Sequence, residues 1–422
     1  MSLLKSFSIY TISGILSRGI AFLLLPYFTH HLTQADYGVI TIFANSIYFI
    51  TPFLNMGIGD TFTVEYSGLS KEELRRFIST SLFFPVIIFL ISLLLILFAG
   101  DLFTRVTGLS TYLLYLVCIL SVFNFLVEYL FTLFRNQNQP LYYAMLSIGK
   151  TLVELLFAVY LIGFLHQGYM GRVNSILISS AAGFILVMIY FYKKSFLNFD
   201  ISKKWLQIIL HRGLPAIPFF FLIFILNNSD KYFINYYKGQ SSLGVYGLAS
   251  QVAMIINLLA GSFVIPFYPF FYQSLIKKEY TRIGKVIIAY VIVMTATVVL
   301  LDLTAPFFFR IFISAKFEAA TGYIFLLSLG QLCWGMFLIF LGYLYFMKEN
   351  KKLYYISAIA IIFTFIADYL VIKESDSINW AWANMLSYLF CLLIIIFMYR
   401  KRITGVFNYL KLKHGSRNAR PE

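Results

Sequence analysis

The sequence is a succession of apolar segments, each about as long as one membrane-spanning helix. A helix crosses the ~30 Å hydrocarbon core of a bilayer with about 20 residues, and it satisfies its own backbone hydrogen bonds there. Twelve such segments take up most of the 422 residues. They lie near 6–29, 37–63, 77–99, 109–134, 141–165, 173–192, 214–237, 244–273, 283–301, 320–346, 353–372 and 378–399. The pattern predicts an all-α integral membrane protein with about twelve transmembrane helices.

The composition excludes a water-soluble enzyme. Apolar residues make up 60% of the chain and charged residues 12%, whereas soluble domains are nearer half and a quarter. The outer connections are too short to carry the catalytic residues of a membrane-bound polymerase or ligase. Gly149-Lys150-Thr151 resembles the end of a phosphate-binding loop, but Ala144 stands where that motif needs its first glycine. We therefore expect no enzyme, no cofactor, no metal site and no catalytic residues.

The basic residues indicate the orientation of the chain in the membrane. The net charge is +15, and most of the 33 Lys and Arg residues lie in the even-numbered connections and near the two termini. Basic residues favour the cytoplasmic side because they resist translocation and meet anionic lipid there. This distribution predicts that both termini are cytoplasmic, and it argues against a nucleic-acid partner.

The chain repeats itself at an offset near 210 residues. The stretch 134–143 aligns on 346–355 with five of ten positions identical, and Tyr37-Gly38-Val39 is echoed by Tyr246-Gly247-Leu248. Two halves of six helices each enter the membrane from the same side, which predicts two parallel six-helix lobes around a central cavity. The expected divisions are an N-terminal lobe (1–192), a basic linker with an interfacial helix (193–213), a C-terminal lobe (214–399) and a basic cytoplasmic tail (400–422).

Charged residues at membrane depth mark the candidate sites, because each costs about 2.5–3.5 kcal/mol to insert and usually faces a cavity or a partner. Arg18 lies near the middle of the first segment. Lys150 lies roughly 14 Å into the fifth segment at 1.5 Å per residue, and Glu154 follows one turn later. Glu128 belongs to a polar face of the fourth segment. Lys150 and Glu154 either face a cavity or neutralise one another.

The seventh segment holds a second polar group near its outer half. Asn228, Asp230 and Lys231 are consecutive or nearly so, and they either face a cavity or sit at the outer interface. Asp302 and Asp368 lie near outer ends of later segments, where we expect interfacial positions.

Several motifs resemble a known family. Leu32-Thr-Gln-Ala-Asp-Tyr-Gly-Val39, a helix ending Asn55-Met-Gly-Ile-Gly59, Gly213-Leu-Pro-Ala-Ile-Pro218, Asn228-Ser-Asp-Lys-Tyr-Phe-Ile234 and Pro266-Phe-Tyr-Pro269 are similar to those of bacterial polysaccharide transporters. These are the O-antigen and capsule repeat-unit flippases of the multidrug/oligosaccharidyl-lipid/polysaccharide exporter superfamily. The resemblance covers nearly the whole chain.

The resemblance implies a flippase that works by alternating access. Its cargo would be an undecaprenyl-diphosphate-linked oligosaccharide repeat unit for O-antigen or capsule, moved from the cytoplasmic to the outer leaflet for lipopolysaccharide or polysaccharide biosynthesis. By that resemblance, Arg18, Lys150, Asn228, Asp230 and Lys231 would contact the substrate. A coupling proton or sodium ion at Glu128 or Glu154, and a polysaccharide polymerase partner, are further expectations. The alternative is a cation-coupled multidrug antiporter of the same superfamily, whose cavity would be net acidic.

Overall fold

The computed structural model describes residues 3–197, 200–347, 349–374 and 379–418, and within these ranges every regular element is a helix. The side chains of Arg18 and of the residues beyond Arg400 lie outside the described part. The α-helices are α1 (Leu3–Leu23), α2 (Leu25–His31), α3 (Gln34–Asn55), α4 (Ile58–Glu65), α5 (Lys71–Ser81), α6 (Phe83–Thr107), α7 (Thr111–Asn136), α8 (Pro140–Val159), α9 (Gly168–Lys193), α10 (Lys203–Gly213), α11 (Ile217–Ile276), α12 (Tyr280–Phe312), α13 (Thr321–Phe346), α14 (Asn350–Glu374) and α15 (Trp380–Asn418).

The helices agree with the predicted spanning segments. Ten helical stretches of the described chain are long and apolar enough to cross a membrane. The first predicted segment, now α1 and α2, is not among these ten, and α11 covers the seventh and eighth segments together. Each of the twelve predicted segments therefore lies on helix, and the chain is an all-helical, multi-pass membrane protein.

Helix α11 is two spans joined by a reversal. Its 60 residues would extend about 90 Å at 1.5 Å per residue, three times the hydrocarbon core. Gly239 interrupts it with a φ of 84°, in the region that favours glycine. The Tyr246 hydroxyl donates to a carboxylate oxygen of Asp230 at 2.6 Å, although 16 residues of straight helix would separate them by about 24 Å. The chain therefore turns back at Gly239.

The second predicted segment is also interrupted. Met56 and Gly57 have positive φ values of 38° and 65°, and they divide it into α3 and α4. A Cβ added to Gly57 would lie 3.0 Å from the Cα of Gly213, at the end of α10. The break in the second segment and the end of the linker helix thus pack backbone against backbone.

The chain forms two compact units. Unit 1 comprises Met1–Phe224, Ile234–Val245 and Phe312–Ser314, and unit 2 comprises the remaining residues. The core of unit 1 packs aromatic residues of α4, α5, α7, α9 and α10, among them Phe62, Phe77, Tyr129, Phe191 and Trp205. The core of unit 2 is built on Ile256, Phe267, Phe271, Tyr290 and Ile339. Such packing holds membrane helices together because lipid offers no hydrophobic contrast between them.

The linker packs against unit 1. The expected interfacial helix corresponds to α10, whose apolar residues Trp205 and Ile209 are buried. Trp205 meets Phe77 of α5 edge to face at 5.2 Å, and Lys204 pairs with Glu73 at 3.2 Å. Trp205 and Ile209, on the apolar side of this helix, therefore contact protein.

Candidate functional sites

The first candidate site is a polar cluster inside unit 1, on α7, α8 and α9. It consists of Asn124, Lys150, Glu154, Arg172, Ser179 and Ser180, and we call it the unit 1 cluster. The Lys150 ammonium donates a hydrogen bond to Asn124 Oδ1 at 2.9 Å. The Ser180 hydroxyl donates to the same oxygen at 3.1 Å. Lys150 is half-buried, and its direct hydrogen-bond partner is a neutral amide.

Glu154 pairs with an arginine from the next helix. Arg172 Nη2 lies 2.7 Å from Glu154 Oε1, with the two side chains 16% and 21% exposed, and the Ser179 hydroxyl donates to the other carboxylate oxygen at 3.3 Å. The Arg172 guanidinium also lies 5.2 Å from the ring centre of Phe28. Lys150 and Glu154 thus each make a direct bond to a residue of a neighbouring helix, Lys150 to Asn124 and Glu154 to Arg172. With two cations and one carboxylate, the cluster carries one net positive charge.

Two further sequence-predicted residues, Glu128 and Arg18, belong to unit 1. Glu128 is exposed on α7, and its carbonyl accepts a hydrogen bond from the Thr132 hydroxyl at 3.0 Å. Arg18 lies on α1, but its side chain is outside the described part of the chain. The predictions for both residues stay predictions.

The second candidate site is a buried network in unit 2, on α11, α14 and α15. Asp230 is only 2% exposed. Its carboxylate accepts hydrogen bonds from the Tyr246 hydroxyl at 2.6 Å and from Asn384 Nδ2 at 3.0 Å. The Lys231 ammonium lies 3.8 Å from the Asp230 carboxylate and donates to the carbonyl of Asn227. Asp230 and Lys231 thus lie in the interior of unit 2.

Asp368 completes this network. Its side chain is fully buried and accepts a hydrogen bond from Ser229 at 2.5 Å. Among the described residues, neither Asp368 Oδ1 nor Asn384 Oδ1 has a hydrogen-bond partner. We call Ser229, Asp230, Lys231, Tyr246, Asp368 and Asn384 the unit 2 network. It holds two carboxyl groups and one ammonium, so its formal charge is one negative when both carboxyl groups are ionised.

A chain of neutral side chains continues from the unit 2 network. Asn227 Oδ1 accepts a hydrogen bond from the Tyr388 hydroxyl at 2.8 Å. Gln331 donates to that hydroxyl at 3.3 Å and accepts from Asn257 at 2.7 Å. Asn228, which the sequence predicts to contact the substrate, is half-buried on α11 and follows Asn227 in the chain. This chain connects α11 with α13 and α15.

Sequence reasoning missed Arg172 and Asp368 as site residues. Arg172 precedes the predicted segment 173–192 and so falls in an outer connection. In the structure α9 begins at Gly168, and Arg172 lies on a helix that is long enough to span a membrane. Asp368 lies six residues before the end of α14, so it too is a charged residue within a helix. Longer predicted helices would have placed both residues further from a helix end. No group of three or more His, Cys, Asp or Glu side chains in the described part of the chain is arranged to hold a metal ion.

The fold and the two charged interior sites define a polytopic membrane protein. The sequence profile described as "Polysaccharide biosynthesis protein" matches residues 3–275, and the chain belongs to this family. The resemblance found in the sequence is thereby confirmed.

Individual relatives are distant. The chain is 22% identical to "Lsg locus putative protein 1" of Haemophilus influenzae over 66% of this chain and 68% of that protein. It is 25% identical to "Probable multidrug resistance protein YoeA" of Bacillus subtilis over 57% of both chains, and so matches little more than half of that relative's length.

Solved structures with the same fold include two types of transporter. The lipid II flippase MurJ in an inward closed conformation aligns with a TM-score of 0.75 at 16% identity, over 93% of this chain and 87% of MurJ. An inward-facing multidrug resistance MATE family transporter of the MOP superfamily aligns with a TM-score of 0.73 at 13% identity, over 97% and 96%. At these identities the likeness establishes the fold.

Proposed function

We propose that this protein is a flippase for a lipid-linked oligosaccharide. The cargo is a repeat unit on undecaprenyl diphosphate, of the O-antigen or capsule type, carried from the cytoplasmic to the outer leaflet of a bacterial inner membrane by alternating access. Membership of the polysaccharide biosynthesis family and a fold shared with a lipid II flippase support this proposal. The orientation with both termini in the cytoplasm follows from the distribution of basic residues.

The observation that carries the proposal is the positive charge of the unit 1 cluster. Arg172 takes up the charge of Glu154 at 2.7 Å, whereas Lys150 bonds to the neutral Asn124. Lys150 lies about 15 Å along α8 from Pro140, near the midplane of a ~30 Å core. A half-buried ammonium at this depth is suited to an anionic group such as a diphosphate.

This charge meets the main physical difficulty of the reaction. A diphosphate with its sugars is strongly disfavoured in hydrocarbon, while a polyprenyl tail is not. A cationic, polar path lowers the cost of moving the head group, and the tail remains in lipid. In this proposal the Lys150 ammonium binds the diphosphate of the substrate, and Arg18 acts with it.

We further propose that the unit 2 network is the coupling site. Two buried carboxylates face one ammonium, so binding of a cation would neutralise the net charge, and Asp368 Oδ1 and Asn384 Oδ1 are buried oxygens left to accept it. Carboxylate and amide oxygens suit a hard cation, and a proton on Asp368 would have the same electrostatic effect. This assigns Asp230 and Lys231 to coupling, with Asn228 alongside, where the sequence suggested contact with the cargo. Glu128 and Glu154 belong to unit 1, and we assign Glu154 to holding Arg172.

The test is a deletion strain of the native host, complemented with variants. We expect the deletion to accumulate complete lipid-linked repeat units on the cytoplasmic side and the intact gene to relieve this. Lys150→Ala should restore transport at most one tenth as fast, because charge-assisted hydrogen bonds contribute about 1.5–3 kcal/mol. Lys277→Ala, at an exposed basic position, is the matched control and should behave as wild type. Normal surface polysaccharide with new sensitivity to organic cations would overturn the proposal in favour of a multidrug antiporter.

A further inference from the structure

Polar side chains of α4 and α7 meet at one end of unit 1. Asn136 Nδ2 donates a hydrogen bond to the Thr63 hydroxyl at 3.2 Å. One residue earlier on α7, Arg135 Nη2 donates to the Thr132 hydroxyl at 2.9 Å. The Arg135 guanidinium also interacts electrostatically with the carboxylate of Asp60 on α4. The last turn of α7 thus presents a cation and an amide toward a carboxylate and a hydroxyl of α4.

Two tyrosines extend this group to α1 and α8. The rings of Tyr10 and Tyr143 meet edge to face, with their centroids 5.1 Å apart, and the Tyr10 hydroxyl donates to the carbonyl of Phe134 at 3.3 Å. The Arg135 guanidinium interacts electrostatically with the Tyr10 hydroxyl as well. The residues that share these contacts form what we call the four-helix cluster: Tyr10, Asp60, Thr132, Arg135, Asn136 and Tyr143.

The four-helix cluster lies between Lys150 and the predicted cytoplasmic side. Arg135 and Asn136 end α7, and Pro140 begins α8, so the cluster adjoins an even-numbered connection. The distribution of basic residues predicts that these connections are cytoplasmic. Tyr143 and Lys150 are seven residues apart on α8, which places them on nearly the same helix face, about 10 Å from one another along the axis.

The chemistry of the four-helix cluster differs from that of the unit 1 cluster. Its one cation and one anion give no net formal charge, and both Asp60 and Arg135 are exposed. The described contacts include no ion pair between these two residues, although they interact electrostatically. A guanidinium only donates hydrogen bonds and a carboxylate only accepts them. A hydroxyl does both and can therefore bond to the two groups at once.

The two tyrosines add a further element of recognition. Their rings supply apolar surface, and their hydroxyls supply polar tips. A ligand that suits Asp60, Arg135 and this ring pair is neutral, rich in hydroxyls and apolar on its ring faces. A carbohydrate has all three properties. An anion such as a diphosphate would instead be repelled by Asp60.

We propose that the four-helix cluster binds the sugars of the cargo while Lys150 binds its diphosphate. The inference rests on the proposed flippase function and names the part of the cargo that this end of unit 1 recognises. The separation of about 10 Å along α8 gives a short oligosaccharide room to extend from the diphosphate toward the cytoplasm. Such a site favours a lipid that carries its repeat unit over the same lipid diphosphate without sugars.

The experiment compares two probes on the purified full-length protein in detergent. One is undecaprenyl diphosphate without sugars, and the other is the glycosylated undecaprenyl diphosphate extracted from the native host. The wild type should bind the glycosylated probe more tightly. Asp60→Asn keeps the shape of an exposed side chain but loses charge-assisted hydrogen bonds. It should weaken binding of the glycosylated probe about tenfold and leave binding of the bare diphosphate unchanged.

Two other variants complete the comparison. Tyr143→Leu should weaken binding of the glycosylated probe several-fold and leave the bare diphosphate unaffected, because it removes ring surface without changing charge. Asp101→Asn is the matched control, since Asp101 is an exposed aspartate of unit 1 on α6, and it should change neither affinity. Lys150→Ala should weaken binding of both probes.

The outcomes separate the sugar site from the cargo proposal. Equal affinities of the wild type for the two probes would overturn the sugar site and leave the flippase proposal intact. The same holds if Asp60→Asn changes neither affinity or changes both together, and tighter binding of both would show that the cluster faces the diphosphate. If the wild type binds neither probe, the proposed cargo is refuted, and the sugar site with it.

Discussion

The charge of the unit 1 cluster can be changed without altering Lys150. The cluster has a net charge of +1, from Lys150 and Arg172 against Glu154. Arg172→Gln lowers the net charge to zero and leaves Glu154, one helical turn from Lys150, as the nearest partner for the ammonium. Glu154→Gln raises the net charge to +2. The double variant returns it to +1, with Lys150 again beside neutral groups.

These counts predict that Arg172→Gln lowers both stability and transport. Removing one partner of a fully buried ion pair costs about 3–5 kcal/mol, and the side chains here are 16% and 21% exposed. We therefore expect Arg172→Gln to cost about 2 kcal/mol of unfolding free energy, between the values for buried and exposed pairs. We expect transport to fall about tenfold, because Lys150 becomes neutralised by Glu154.

The decisive measurement is the double variant. Lipid-linked oligosaccharide accumulation in the complemented deletion strain gives transport, and thermal unfolding in detergent gives stability. Arg172→Gln with Glu154→Gln should recover transport to within about threefold of wild type while recovering stability only in part. If the double variant transports as poorly as Arg172→Gln alone, the loss comes from the missing guanidinium itself, and the charge-count reasoning is refuted.

Three further predictions address other parts of the molecule. Asp368→Asn keeps the shape of the side chain but removes its charge, so transport in vesicles should become insensitive to collapse of the coupling ion gradient; full gradient dependence would exclude Asp368. Gly213→Ala should lower the thermal midpoint by several degrees, because the added methyl overlaps a backbone carbonyl of the α3–α4 break, while Gly284→Ala, with open space around it, should not. Trp205→Ala should cost about 3–5 kcal/mol of unfolding free energy, since that residue is 3% exposed. Trp382→Ala, at a residue that is 42% exposed, should cost far less. Equal losses would argue against α10 as part of the unit 1 core.

The spanning segments were predictable, but their interruptions were less so. Segment length follows from the thickness of the bilayer, and apolar length is visible in any window of the sequence. The break at Met56 and Gly57 lies inside one predicted segment, and in the structure it packs closely against Gly213. Likewise, α9 begins at Gly168, five residues before the start of the segment predicted from hydropathy. Arg172 therefore lies on the helix and not in the connection.

The sequence by itself determined that the chain is helical and that it crosses the membrane repeatedly. These properties depend on the local transfer of side chains and backbone out of water, so each segment fixes them independently. Only the tertiary structure decided how the charges are partnered: Glu154 with Arg172, Asp230 with Tyr246 across the reversal at Gly239, and Asp368 in the interior. Hydrogen bonds between helices are set by which faces pack together, and that choice depends on contacts among residues far apart in the chain.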